Sequence, residues 1–313
     1  MGQMRLWILQ HGIRYGITIR KAGTIGKTNM EVQPLKDTAL FEDYYDITRQ
    51  TKTDSEAFSV PLGITESNIL KTLSFSHMPH QNVLVTGYAG TGKSTFLHAV
   101  LNTILLHQSA DQAQVWIYDG TEYEFQTCKS NHPPHIAYVG GGDQDSSFEA
   151  FLQSLEEEYK KRTQYVIKSG QPMFVDCLQT YGSACIPRAF VLIDCFDHFL
   201  KKGNEKNDWR CRINKLLRMG FVLGVTFFVT AQDCAPYRWM ERPIERHFGI
   251  RVCLSQSDES IREQFQIPDA IRLETSLKTG EALIEDITIH KVKLLWISPQ
   301  TEKQIIRLSD QRG

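Results

Sequence analysis

The chain has no excess of either charge: 35 Lys and Arg face 36 Asp and Glu over 313 residues, a formal net charge of −1. That balance removes any global electrostatic reason to bind nucleic acid or an acidic membrane surface, although a local basic patch stays open. Cysteine pairing is missing too. The seven cysteines (Cys128, Cys177, Cys185, Cys195, Cys211, Cys234 and Cys253) are odd in number and include no Cys-x-x-Cys, so neither a disulfide framework nor a zinc knuckle is indicated. Reduced thiols in a cytosolic compartment are expected. Long apolar runs are absent: the longest, Phe221 to Ala231, is far short of the ~20 residues that span a bilayer. Met1 to Gln10 carries one charge and too short an apolar stretch for a secretory signal. The expectation is a soluble chain with no direct membrane insertion, and with neither internal repeats nor heptads.

What the chain does have is material for a core. With 41% hydrophobic and 10% aromatic residues, disordered, collagen-like and low-complexity classes are excluded. The length predicts one large α/β domain with an appendage, or two domains. Residues 1–57 alternate apolar and polar positions (Trp7-Ile8-Leu9, Tyr15-Gly16-Ile17-Thr18-Ile19), carry Gly16, Gly23 and Gly26, and turn acidic and polar from Asp37 to Glu56. This predicts a small β-rich N-terminal appendage and a connector. Over residues 58–313, apolar strand-like runs alternate with helical periodicity, as in β-α-β units around a parallel sheet flanked by helices. Strands are predicted over Asn82–Thr86, Gln114–Tyr118, Ala189–Ile193, Gly224–Thr230 and Arg251–Leu254. Phe148, Phe151, Leu152, Leu155 and Tyr159 recur at helical spacing opposite Glu156, Glu157, Lys160 and Lys161, the stripe any helix needs to pack on a sheet. A second helix is predicted from Asp208 to Met219, with Gly220 as a left-handed C-cap.

The strongest motif is Gly87-Tyr88-Ala89-Gly90-Thr91-Gly92-Lys93-Ser94, a complete G-x-x-x-x-G-K-[ST] followed by Thr95. It follows the apolar strand Val83-Leu84-Val85 and opens a helix with Phe96, Leu97, Val100 and Leu101, the context this motif requires. Glycines let the backbone wrap a phosphate chain, the helix N-terminus offers unpaired N–H groups, Lys93 neutralises outer phosphates and the Ser94 hydroxyl can ligate Mg²⁺. Binding of a nucleoside triphosphate with Mg²⁺ is expected. No N-K-x-D-type guanine motif is evident, which favours ATP.

A magnesium aspartate belongs at the end of another core strand, and Phe190-Val191-Leu192-Ile193-Asp194 supplies it; the competing reading of Asp194 is a strand-end turn cap. The next residue is Cys195, followed by Phe196-Asp197-His198. P-loop ATPases of the additional-strand type usually carry a Glu there to activate water. A neutral thiol is a poor substitute, and general-base catalysis is worth roughly 10²–10⁴ in rate. Slow or absent hydrolysis follows unless Asp197 or a neighbouring subunit compensates, and Asp197 reads rather as a surface loop residue. His198 reads as a helix-start residue, and His132 and His135 as loop residues around Pro133-Pro134. Gln232, at the tip of the Gly224–Thr230 strand, is the candidate γ-phosphate sensor.

With these motifs in order, the chain resembles the FtsK/SpoIIIE-type motor family from about Val60 onward. Val60-Pro61-Leu62-Gly63-Ile64-Thr65 is similar to the family's lead-in; Ile117-Tyr118-Asp119 with Gly120 and Phe125, then Pro134-His135-Ile136, to its next strand and P-H segment; and Thr230-Ala231-Gln232 to its A-T-Q element. Ile250–Leu254 and Thr279-Gly280-Glu281-Ala282-Leu283 resemble its closing strand and turn. Departures are Cys195, Asp258-Glu259-Ser260 where the family often has Asp-Ser-Arg, and Thr279-Gly280 where it has Arg-Gly; of the arginines that could reach a neighbour's nucleotide, Arg262 lies close by. Asp194-Cys195-Phe196-Asp197 looks like the degenerate C-terminal ATPase modules of type VII secretion motors, the EssC/EccC family.

That resemblance implies a RecA-like P-loop ATPase fold of the additional-strand type. Lys93, Asp194 and Gln232 stand in catalytic positions, Gly87 to Thr95 at the nucleotide, and Ser94 and Asp194 at Mg²⁺. It further implies an ATP-binding module with weak or no hydrolysis that regulates assembly and recognition of secreted proteins. Its partners would be other ATPase modules of the same motor, with a possible hexameric ring in the full assembly. The chain would be the cytosolic part of a protein anchored in a bacterial inner membrane. The alternative is a double-stranded DNA translocase, for which Lys201-Lys202-Gly203-Asn204-Glu205-Lys206 is the best candidate DNA-contacting loop; a charge run is usually a solvated face.

Overall fold

The computed structural model describes residues 4–10, 13–19, 32–33, 38–45, 58–74, 82–202, 209–232, 246–266, 276–285 and 288–310. In the N-terminal segment, β1 (Met4–Gln10), β2 (Ile13–Ile19) and β3 (Val32–Gln33) form a small antiparallel sheet. A further short strand, β4 (Ala39–Leu40), leads into a 3₁₀ turn whose Phe41 is fully buried. Gly23, Gly26 and the polar connector at 46–57 lie outside the described residues.

The main body is a ten-stranded sheet. Its strands in chain order are β5 (Ser59–Thr65), β6 (Leu70–Ser74), β7 (Val83–Thr86), β8 (Ala113–Asp119), β9 (Ile136–Gly141), β10 (Arg188–Asp194), β11 (Val225–Ala231), β12 (Ile250–Cys253), β13 (Glu281–Glu285) and β14 (Ile289–Lys293). In space they run β6-β5-β14-β13-β12-β7-β11-β10-β8-β9. The stretch from β12 to β9 is parallel, and β13, β14, β5 and β6 extend it antiparallel. The five predicted strands fall on β7, β8, β10, β11 and β12 with bounds shifted by at most one residue. Their near-continuous apolar runs follow from burial on both faces. A last strand, β15 (Leu295–Trp296), pairs with β4.

Alternate strand residues feed two cores, because successive side chains point to opposite faces. Val83, Val85, Val115, Ile117, Phe190, Leu192 and Phe228 pack with α1 (Lys93–His107) and the C-terminal helix (Pro299–Asp310). Leu84, Trp116, Tyr118, Val191, Ile193, Phe227 and Val229 pack on the other face with α3 (Asp145–Ser169), α4 (Phe174–Tyr181), α5 (Phe196–Lys202) and α6 (Trp209–Leu223). The short α2 (Gln126–Asn131) follows β8, α7 (Asp258–Phe265) follows β12, and the C-terminal helix is α8. The predicted stripe on α3 is buried, from Phe148 through Tyr159.

One local expectation is corrected. α6 does not stop at Gly220. It continues to Leu223, and the left-handed residue that ends it is Gly224, with φ of 70°. A Cβ on Gly224 would fall 2.3 Å from the ring of Phe174, so this turn also depends on the packing of α4. Asp208, the predicted helix start, and residues 203–206 of the basic run lie outside the described residues.

Candidate functional site

β11 lies between β7 and β10, so three strand ends meet at one edge of the sheet: the glycine loop after β7, Asp194 at the end of β10 and Gln232 just past β11. Gly87, Gly90 and Gly92 have φ of 153°, 78° and 117°. At Gly87 a Cβ would lie 2.7 Å from Leu254 Cβ and 2.8 Å from Thr91 Oγ1, which makes glycine obligatory there. The loop is pinned from outside. Tyr88 N–H donates to Ser255 O (3.1 Å), and Gly280 N–H donates to Thr91 O (3.1 Å).

Lys93 is buried, and its Nζ donates to Gly87 O and Tyr88 O at 2.9 Å each. Tyr88 and Ala89 are exposed at the rim, while Thr95 is buried behind the loop. No side chain caps the start of α1, so its first N–H groups face the loop's concavity. At the second residue of the helix, Ser94 Oγ lies 3.2 Å from Asp194 Oδ2. The other carboxylate oxygen, Oδ1, accepts from Thr230 Oγ1, which in turn accepts from Cys195 N–H at 3.0 Å. Burial pushes the Asp194 carboxyl above the usual carboxylate range; Glu124 and Asp119 add to this, against Thr230 and Lys93. Glycine cradle, uncapped helix start, lysine and a hydroxyl–carboxylate pair fit a phosphate chain and a hard cation, whose preferred ligands are oxygens.

Cys195 occupies the position after the aspartate with φ of 57°, a left-handed conformation uncommon outside glycine. Burial, then the charges of Asp194 and Asp197, push its thiol up to about 12. At neutral pH it is a protonated thiol with no basic lone pair of carboxylate strength.

Asp197 corrects the expectation of a surface loop residue. It is 5% exposed, in the first turn of α5, and its Oδ1 accepts Gln232 N–H at 3.2 Å. The side chain of Gln232 is exposed. His198 lies in the first turn of α5, in keeping with a helix-start residue, and His135 is buried with Nε2 2.9 Å from Gln108 O. Arg262 is engaged within its own helix, with Nε 2.9 Å from Asp258 Oδ2. Among the described residues no group of three or more His, Cys, Asp or Glu side chains could hold a metal ion, and no helix is long and apolar enough to cross a membrane.

Sequence reasoning missed a second group beneath the loop. Asp119 sits in register beside Asp194 and accepts four hydrogen bonds, from Thr121 N–H and Oγ1 and from Glu124 and Phe125 N–H, which fold the segment after β8. That fold brings Glu124 toward His98 on α1. The available signal was spacing: Ser94, His98 and Asn102 form a polar i, i+4, i+8 stripe on a buried, largely apolar helix.

Residues 45–182 match the FtsK/SpoIIIE family. The match covers the glycine loop and ends before Asp194 and Gln232. The chain is 23% identical over 180 residues to the type VII secretion system protein EssC of Staphylococcus aureus, spanning 57% of this chain and 12% of that protein. The fold matches EssC ATPases 2 and 3 from Geobacillus thermodenitrificans (TM-score 0.70, 18% identity, 89% of this chain and 52% of that one). It also matches Thermomonospora curvata EccC ATPases 2 and 3 in complex with a signal sequence peptide (TM-score 0.63, 16% identity, 83% and 47%). The conjugation coupling protein TcpA of pCW3 with ATPγS aligns over 98% of this chain and 94% of its own (TM-score 0.64, 12% identity). The chain thus spans about half of the EssC and EccC structures and a small part of the staphylococcal protein.

Proposed function

We propose that this chain, which carries an FtsK/SpoIIIE domain and is homologous to EssC, is a Mg-ATP-binding module of a type VII protein secretion ATPase with weak or no hydrolysis. One observation carries the reading: a complete phosphate cradle, with Ser94 3.2 Å from Asp194, stands beside a neutral Cys195 where a water-activating carboxylate belongs. Such a site binds well and turns over poorly. Bound Mg²⁺ would supply charge neutralisation at the phosphates. The glycine-loop N–H groups would grip the phosphates, Lys93 would balance their charge, Ser94 and Asp194 would hold the cation, and Gln232 would sense the terminal phosphate.

Occupancy then acts as a switch. A ligand that differs in affinity for two conformations shifts their populations without turnover. In this reading ATP orders the module against neighbouring ATPase modules of the same cytosolic, membrane-anchored motor, within a hexameric ring, and tunes recognition of secreted proteins. The signal-peptide complex of EccC supports the last point by similarity. A second reading, a DNA translocase, is favoured by 27% identity over 128 residues to the DNA translocase FtsK of Streptococcus pneumoniae, 41% of this chain and 16% of that protein.

Calorimetric titration of Mg-ATP into the full chain, beside a duplex-DNA binding assay at physiological salt, separates these. ATP binding without DNA binding or DNA-stimulated hydrolysis supports the secretion module. DNA-stimulated hydrolysis supports the translocase, and no ATP binding defeats both.

A further inference from the structure

His98 lies at the heart of the molecule, 2% exposed, one helical turn beyond Ser94 on the same face of α1. Its Nδ1 is 2.7 Å from Glu302 Oε1 and its Nε2 is 3.7 Å from Glu124 Oε2. The ring stacks on Phe125, centroids 4.7 Å apart. Asn102, a further turn along, donates to the same Glu302 oxygen at 3.3 Å.

Three chain segments meet on this one imidazole. Glu302 belongs to the first turn of α8, a start fixed by Pro299 and by Ser298 Oγ accepting Thr301 N–H at 3.0 Å. Glu124 belongs to the segment folded around Asp119, the register partner of Asp194. α1 itself carries the phosphate loop. Burial alone would drive His98 to its neutral form, but Glu302 and Glu124 outweigh it and raise the imidazole to about 10. It is a buried imidazolium between two carboxylates, and removal of one member leaves uncompensated charge in a low dielectric.

We propose that His98 and Glu302 are positioning residues of the nucleotide site: the Glu302–His98–Glu124 bridge locks α8 and the segment after β8 onto the phosphate-loop helix, and so sets Ser94 against Asp194. The inference rests on the nucleotide-binding reading above. It makes the C-terminal helix, which touches no part of the phosphate loop through this bridge except by way of α1, a determinant of Mg-nucleotide affinity. A partner that displaces α8 would loosen the cation site.

The test is calorimetry of a non-hydrolysable ATP analogue, with Mg²⁺ and with EDTA, on the full chain and on His98→Gln, Glu302→Gln and Glu302→Asp. A shell that orients ligands is worth about 10–100-fold in metal affinity. Affinity with Mg²⁺ is therefore expected to fall at least about tenfold in the first two variants, to fall much less in EDTA, and to recover in part in Glu302→Asp. Because the charge on His98 depends on Glu302, the Mg-dependent affinity is expected to vary more steeply with pH between about 6.5 and 8.5 in Glu302→Gln than in the unmodified chain, whose slope is set by the phosphates of the ligand. Folded variants with unchanged affinity, or with equal loss in Mg²⁺ and EDTA, overturn the proposal. Should the variants fail to fold, the His98 ring nitrogens of the unmodified chain decide it by NMR: a shift on adding Mg-nucleotide supports the bridge, and none overturns it. Failure of the unmodified chain to bind nucleotide defeats the function proposed above and this inference together, whereas binding with indifferent variants defeats this inference alone.

Discussion

Asp197 accepts the backbone N–H of Gln232 at 3.2 Å, which ties the start of α5 to the tip of the strand between the phosphate loop and Asp194. The bond makes a buried carboxylate, two residues past Cys195, the holder of the candidate sensor.

The two partners are expected to separate experimentally. Asp197→Ala strands a backbone donor and removes a charge-assisted bond, which costs about 1.5–3 kcal/mol in urea denaturation. Gln232→Ala removes an exposed side chain and is expected to leave stability within about 0.5 kcal/mol while changing nucleotide affinity or its effects. A destabilised Gln232→Ala with unchanged nucleotide response would make Gln232 structural.

Cys195 yields a reactivity prediction and an activity prediction. With its thiol pushed up to about 12, Cys195 is expected to resist iodoacetamide at pH 8, where exposed Cys211 reacts, as read by peptide mass mapping. Cys195→Glu restores a carboxylate beside Asp194 and is expected to raise ATP hydrolysis by about 10²-fold or more. No increase would mean that the rest of the site is not arranged for turnover.

Gly224→Ala is expected to lower the melting temperature. A left-handed non-glycine residue costs roughly 1–2 kcal/mol, and here the added methyl group also meets the Phe174 ring. A Tm equal to that of the unmodified chain would mean that α4 yields freely.

Stability should also depend on pH through His98. Its folded value of about 10 lies above the ordinary 6.5, so the bridge contributes fully below about pH 6.5 and its contribution is lost as pH rises through 10. Denaturation midpoints are expected to decline between pH 7 and pH 10 in the unmodified chain. In His98→Gln that decline should be smaller; an identical slope would assign it to other groups.

Much of the site was legible because its signals are local. A glycine loop between an apolar strand and a helix is written in consecutive residues, and so is the run ending in Asp194. The parallel strands were readable because strands buried on both faces must be apolar throughout. The antiparallel strands β13, β14, β5 and β6 were less legible: they are short, and their register comes from pairing across the chain. Asp197 was misread because a carboxylate near a turn is usually solvated. The residue past the tip of β11 reaches it as a donor, a contact that folding brings about.

Residue chemistry in sequence therefore determined that a phosphate loop, a strand-end aspartate and a thiol in place of a carboxylate coexist in one α/β chain. Tertiary structure decided which distant groups meet them. His98 and Glu302 stand 204 residues apart and come within 2.7 Å only because α1 and α8 share one face of the sheet. A buried charge acquires its meaning from partners that folding delivers, and no spacing in the sequence records them.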